Sequence, residues 1–306
     1  MDKMLELIFS ADFISSVIRV TTPILFATMA VLISDRAGVV NISIEGTMLL
    51  SSLMGVVGSA FTGSAWIGLL VAVVSGIAFA YMLSFFHLRL KTDIILTGIA
   101  LNLFASGFTV FLLYMLTGDK GVSTKLPSQV LPNIEIPFIK DIPFIGDVLS
   151  GQNVLTYIAV ISVIVIAIFL KKTKTGTYIR AAGECPSAVE TAGKSVKKIR
   201  LKALLISGGL AGFGGAFMSM AYLSMFTKDM VAGRGFIALA AEAMGRGSPL
   251  LSTLSSLLFG FADAFSNNLQ LINVPSELTR IVPYLLTIVA LAIYAARAKA
   301  KNKNKL

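Results

Sequence analysis

Residues 153–170, NVLTYIAVISVIVIAIFL, run without a single charged side chain. At 1.5 Å per residue such a helix covers most of a hydrocarbon slab about 30 Å thick, and it is longer than a soluble core requires. Residues 65–86 (AWIGLLVAVVSGIAFAYMLSFF) and 94–118 repeat the pattern. The whole chain of 306 residues agrees: 56% is hydrophobic, 14% is charged and the mean hydropathy is +0.84. Soluble domains carry about 25% charged residues. A soluble enzyme, a disordered chain and a small disulfide scaffold are excluded. The sequence predicts an all-α, polytopic membrane protein with one domain over residues 1–306.

Working outward, membrane segments are expected near 13–34, 39–59, 65–86, 94–117, 153–170, 203–226, 235–246, 250–270 and 281–297, so about 8–9 in all. The segment 235–246 is too short to cross upright and reads as a half-helix, joined to its successor by GRGSP at 245–249. Non-helical backbone at that depth belongs inside protein or beside a watery cavity.

Charge sets the orientation. Residues 171–202 hold nine Lys/Arg against Glu184 and Glu190, and the tail 297–306 holds Arg297, Lys299, Lys301, Lys303 and Lys305 with no acid. Basic clusters beside apolar spans stay in the cytoplasm, which explains the net charge of +10 without nucleic acid. Residues 118–152, with prolines at 127, 132, 137 and 143, are then an external extended loop, and counting back puts the N-terminus outside. The start MDKMLELIFSADF reads as no removable signal. Cys185 is the sole cysteine and His87 the sole histidine, so neither a disulfide, a metal set nor a nucleophile–base–acid set can be assembled. No enzyme activity and no bound cofactor are expected of this chain.

Two nucleotide-like patterns fail on context. AVETAGKS (188–195) lacks the first glycine of a phosphate loop and any preceding buried strand, and GRGFIA (233–238) opens a membrane half-helix rather than a βαβ unit. Both GVVNISIEGTMLLSSLMG (38–55) and GFIALAAEAMGRGSPLLSTLSSLLFG (235–260) place a glutamate, Glu45 or Glu242, at an apolar helix start. A paired repeat of the kind seen in transporters and a chance likeness within a small alphabet both fit.

Polar residues inside the spans fall on shared faces: Gly260, Asp263, Asn267 and Gln270; Gly98, Asn102, Ser106 and Thr109; Asn41, Glu45, Ser52 and Ser59. An ionisable side chain facing lipid costs about 2.5–3.5 kcal/mol on insertion scales, so Asp263 and Glu45 should face protein or water. Asn41, Glu45, Asn102, Asp263 and Asn267 are candidates for a translocation pathway. Helix–helix hydrogen bonding is the equal alternative, and it is the favoured reading for Gly98 and Ser106. Gly208, Gly212 and Ala216 form a small-residue ridge for close packing.

The basic loop contains a short helix, started at Pro186–Ser187 and stopped at Gly193. Slung between two spans, it suits docking of a soluble partner better than lying on anionic lipid, which Glu184 and Glu190 would oppose.

RAAGECPSAVETAGKSV (180–196), SDRAGVVNISIEGTMLL (34–50) and GRGFIALAAEAMGRGSPL (233–250) resemble three signature segments of importer permeases in the branched-chain amino acid, simple-sugar and nucleoside ABC class. Within that class, residues 34–50 are most similar to the nucleoside branch. Asp35, Cys185 and Gly247–Ser248 depart mildly from those patterns. The resemblance implies an ABC importer permease fold in a bacterial cytoplasmic membrane. Its implied partners are a second related permease in a heterodimer, two ATPase subunits that bind ATP and Mg, and an external substrate-binding lipoprotein. It implies a coupling helix near 183–193, with Glu184, Pro186, Ala188, Glu190 and Gly193 at the ATPase. Glu184 is expected just before the first turn, as a cap. Nucleosides are the expected substrate, with a pentose-type sugar or a branched-chain amino acid as alternatives. A stand-alone secondary transporter is the rival class, and it leaves the 171–202 loop without a purpose.

Overall fold

The computed structural model describes residues 10–137 and 145–270. The segment expected at 281–297 and the tail 297–306 lie outside the described residues. The helices are α1 Ala11–Arg36, α2 Ile44–Thr62, α3 Ala65–Ser84, α4 Ile94–Thr117, α5 Ile145–Leu149, α6 Val154–Lys172, α7 Lys174–Glu184, α8 Pro186–Thr191, α9 Val196–Phe217, α10 Arg234–Gly245 and α11 Pro249–Gln270. One π-helical turn prolongs α3 through Phe85–Arg89, and another prolongs α9 through Met218–Tyr222. Among the described residues, seven helices are long and apolar enough to cross a membrane: α1, α2, α3 with its π turn, α4, α6, α9 with its π turn, and α11. The fold is all-α and polytopic, as expected, and α10 is the half-helix.

Local chemistry fixes the ends. Asp93 accepts hydrogen bonds from the amides of Ile95 and Leu96, both at 2.9 Å, and Gly118 closes the helix, so α4 begins and ends where the sequence indicates. Asn153 likewise accepts from the Leu155 amide and starts α6.

The segment expected at 39–59 is corrected. Residues 37–43 are not helical, and α2 begins at Ile44. Asn41 is the reason. Its side-chain oxygen accepts from the Ser43 amide and hydroxyl, its nitrogen donates to Ser207, and its own amide donates to Ser34. An amide folded onto the backbone two residues ahead competes with the helix ladder.

Apolarity alone does not set position. Of the most apolar window in α1, 78% is buried, and in α4 only 22%. α1 lies at the centre, packed by α9, α11, α10 and α6, whereas α4 is peripheral and rests on α2. In lipid the apolar effect does not drive helices together, so close packing must. The expected small-residue ridge supplies it: a Cβ at Gly212 would lie 2.8 Å from the Val73 Cα, and Gly208 faces Gly76 backbone to backbone. Hydrogen bonds across helices add to this, such as Ser256 to Thr28 at 2.9 Å and Ser219 to the Ser52 carbonyl at 2.7 Å.

Residues 118–132 cross the end of the bundle opposite the basic loop. The amides of Gln129, Leu131 and Ser123 donate to Ser59, Met220 and Phe226. Two short antiparallel strands, β1 Asn133–Ile134 and β2 Gln152–Asn153, close this cap with Asn133 opposite Asn153.

Candidate functional site

Among the described residues, two places gather polar or exposed groups. The first is the projection α7–α8 at the basic end. α7 is an amphipathic helix begun by Thr173, whose hydroxyl accepts from the Gly176 amide. Only Cys185 separates it from α8, which starts on Pro186. Lys194 donates back to the Val189 carbonyl, and Gly193 at φ +71° ends the unit. Val189 alone is buried on α8, against Ala182 and Val196, and this pins the helix. Glu184, Ala188, Glu190 and Gly193 are exposed and Pro186 is half-buried. Glu184 does not cap α8, as the sequence had suggested. It is the last residue of α7, and no side chain caps α8. The eleven-residue helix before it runs on through Glu184, so the carboxylate leaves from a completed turn.

The second place surrounds the start of α10. Residues 223–233 enter from the capped end of the bundle without regular structure, and Gly233 opens the half-helix. Free amides at a helix start draw an anion. Glu45, in the first turn of α2, supplies it: one oxygen accepts from the Gly233 amide and the other from the Gly235 amide, both at 2.8 Å. Arg234 pairs with Asp263 of α11 at 3.0 Å and lies over the Tyr222 ring. Asn102 of α4 accepts from the Gly46 amide at 2.8 Å and donates to the Ile42 carbonyl at 3.0 Å, which fixes the start of α2. Ser106, one turn on, donates to the exposed Asp229 at 3.1 Å. Ser106 lies about 18 Å along α4 at 1.5 Å per residue, near the middle of the helix. An exposed carboxylate at that depth must meet water or another protein surface rather than lipid.

The structure therefore gathers Glu45, Asn102 and Asp263 into one cluster. Asn41 is fully enclosed and ties residues 37–43 to α9, while Asn267 is exposed farther along α11. Of the two glutamates expected at helix starts, Glu45 is at one and Glu242 is not. Glu45 occupies a first turn and Glu242 a last turn of its helix.

The model of the family described as branched-chain amino acid transport system / permease component matches residues 13–291. The chain belongs to that family. Guanosine ABC transporter permease protein NupQ of Bacillus subtilis is 32% identical over 293 residues, covering 92% of this chain and 91% of NupQ. Nucleoside ABC transporter permease protein NupC of Lactococcus lactis is 30% identical over 94% of this chain and 93% of its own. A Haloferax volcanii chain named as a glucose ABC transporter permease, TsgC13, is 33% identical over 84% of this chain and 77% of its own. An inward-facing ABC transporter assigned to the metal-chelate type shares the fold, with a TM-score of 0.53 at 16% identity over 94% of this chain and 88% of that one.

This permease is a membrane-spanning transport subunit of an ABC importer, not an enzyme, and its family works with an ATPase and a substrate-binding partner. Sequence reasoning missed Arg234 and Asp229. The signal was there: a lone arginine at the head of an apolar half-helix demands an acid, and the only acid inside the following span is Asp263.

Proposed function

We propose that this permease imports nucleosides. The supporting observation is the near full-length match, over more than nine-tenths of both chains, to two relatives whose names specify guanosine or nucleoside transport. In this reading α8 sits in a groove of the ATPase, with Glu184, Pro186, Ala188, Glu190 and Gly193 at the contact. Val189 anchors the knob so that closure of the ATPase pair moves it as a rigid unit. Coupling is a free-energy difference between two states, so the contact must differ between them. ATP and Mg are bound by the ATPase, and this chain holds no cofactor.

The pathway runs beside the cluster at the start of α10. Asp229, Ser106 and Asn102 form its polar wall, Glu45 and Asp263 hold the half-helix in place, Asn41 sets the 37–43 segment behind it, and Asn267 extends the polar line along α11. A second, related permease faces this one as a heterodimer, and an external lipoprotein delivers the substrate. The assembly resides in a bacterial cytoplasmic membrane, with residues 171–202 inside and 118–152 outside. A sugar is the second reading, supported by the glucose permease of Haloferax volcanii.

Uptake in cells with an intact or a hydrolysis-deficient ATPase, competed by unlabelled guanosine, ribose or leucine, separates these cases. Competition by guanosine alone, lost with the ATPase defect, supports nucleosides. Competition by ribose or leucine overturns that substrate, and uptake without ATP hydrolysis overturns the importer mechanism.

A further inference from the structure

The corner at Arg36–Gly38, where α1 ends, joins three parts of the chain that are far apart in sequence. On one side, the Arg36 guanidinium reaches the turn after the half-helix. Its Nε donates to the Gly247 carbonyl at 2.8 Å, and its Nη2 donates to the Gly247 and Arg246 carbonyls at 2.7 and 3.0 Å. These acceptors lie just past the end of α10, where carbonyls lack helical partners and a cation is favoured. The turn is shaped around the guanidinium: Gly247 has φ +68°, and any Cβ there would strike the Arg36 side chain.

On its other side the same corner meets the docking projection. Gly183, in the last turn of α7, packs against it so closely that a Cβ at Gly183 would collide with the Arg36 carbonyl. A Cβ at Gly38 would in turn lie 3.1 Å from the Gly183 Cα. Arg200 of α9 braces the corner by donating to the Ala37 carbonyl at 3.2 Å. Backbone packed on backbone has no rotamer freedom to absorb a displacement. Cys185 is the single residue between α7 and α8, so a push on α8 arrives at Gly183 and then at Arg36.

We propose that Arg36 is the positioning residue that carries movement of α7–α8 to the half-helix α10, and through it to the Glu45–Arg234–Asp263 cluster. This rests on the reading that α8 docks on the ATPase, and it adds the route taken after docking. Arg36 touches neither the ATPase face of α8 nor the polar cluster, so its loss separates docking from transport. A route through packed elements is established only by showing that both ends bias one moving element.

The test uses the reconstituted importer. With Arg36→Ala, the ATPase co-purifies and hydrolyses ATP as with the unaltered chain, while substrate imported per ATP falls at least ten-fold. Arg36→Lys keeps the charge but loses the two-pronged grip, and falls several-fold with an unchanged melting temperature. Adding Gly183→Ala to Arg36→Ala causes no further fall, because both changes cut one link. In a Cys185→Ser background, spin labels at Ala243→Cys on α10 and Val160→Cys on α6 report an ATP-driven distance change that Arg36→Ala or Arg36→Lys reduces. Unchanged import per ATP in both Arg36 variants overturns the joint and leaves docking standing. Loss of ATPase co-purification in Arg36→Lys also overturns it, by placing Arg36 in docking itself.

Discussion

α8 and α10 are both short helices, and their surroundings are opposite. α10 is gripped at both ends by its own chain: Glu45 and Asp263 hold its start, and Arg36 holds its end. α8 buries one side chain, Val189, and turns Ala188 and Glu190 outward. On the proposed mechanism, a helix held at both ends by its own chain belongs to the moving machinery. On the same proposal, one that displays Glu190 and Ala188 within a basic loop meets another protein. Substitutions at the start of α10 should therefore damage the fold and transport together, and those on α8 should damage assembly and uptake while sparing the fold.

The largest effect on the fold is expected from Asp263→Leu. It strands the Arg234 guanidinium of a half-buried pair, for which the cost of breaking a fully buried pair, about 3–5 kcal/mol, is the upper bound. A fall in melting temperature with loss of uptake is the expected result, and the double change Arg234→Leu with Asp263→Leu should recover stability without recovering uptake. Glu45→Ala comes next. It orphans the amides of Gly233 and Gly235, at about 1–3 kcal/mol each, with Glu45→Gln intermediate, as thermal unfolding in detergent can check. If Glu45→Ala melts as the unaltered protein does, α10 is not held as described.

How much of this difference the sequence carries depends on how far apart the partners lie. α4 and α8 were legible because their signals are local: Asp93 and Gly118 bound one, Pro186 and Gly193 the other. The half-helix was legible from its length. Its grip was not, because Glu45 and Gly233 are 188 residues apart and Arg234 and Asp263 are 29 apart. Helical periodicity placed Glu45 and Asp263 on polar faces but said nothing about which element each face meets. Residues 37–43 misled because their apolar run is continuous with α2, while one side chain, Asn41, breaks the ladder. Glu184 misled for the converse reason: α7 is too polar to stand out, so the residue that completes it read as the start of α8.

Smaller effects sharpen the contrast. Asn267→Leu, on an exposed position of α11, should leave melting within about 0.5 kcal/mol while reducing uptake several-fold. Normal uptake would remove Asn267 from the pathway. Thiol labelling changes nothing in the fold and tests orientation. The Cys185 thiol contacts Ser187 and accepts from the Ala188 amide, which lowers its pKa from the ordinary value. A lower pKa means more thiolate at neutral pH, so Cys185 should react faster at pH 7 than an ordinary cysteine, and lose that advantage as pH rises toward about 9. An impermeant reagent should reach Thr124→Cys on intact cells, and reach Cys185 only after permeabilisation.

Glu190→Lys tests the central claim most directly. It reverses an exposed charge on α8 whose side chain makes no hydrogen bond or ion pair among the described residues. The measurement is co-purification of the ATPase with the permease, alongside melting temperature and uptake. The account predicts an unchanged melting temperature, at least a ten-fold loss of bound ATPase and failed uptake, with Glu184→Ala giving a weaker defect. Full ATPase binding and full uptake by Glu190→Lys would contradict it, because α8 would then not present Glu190 to the ATPase.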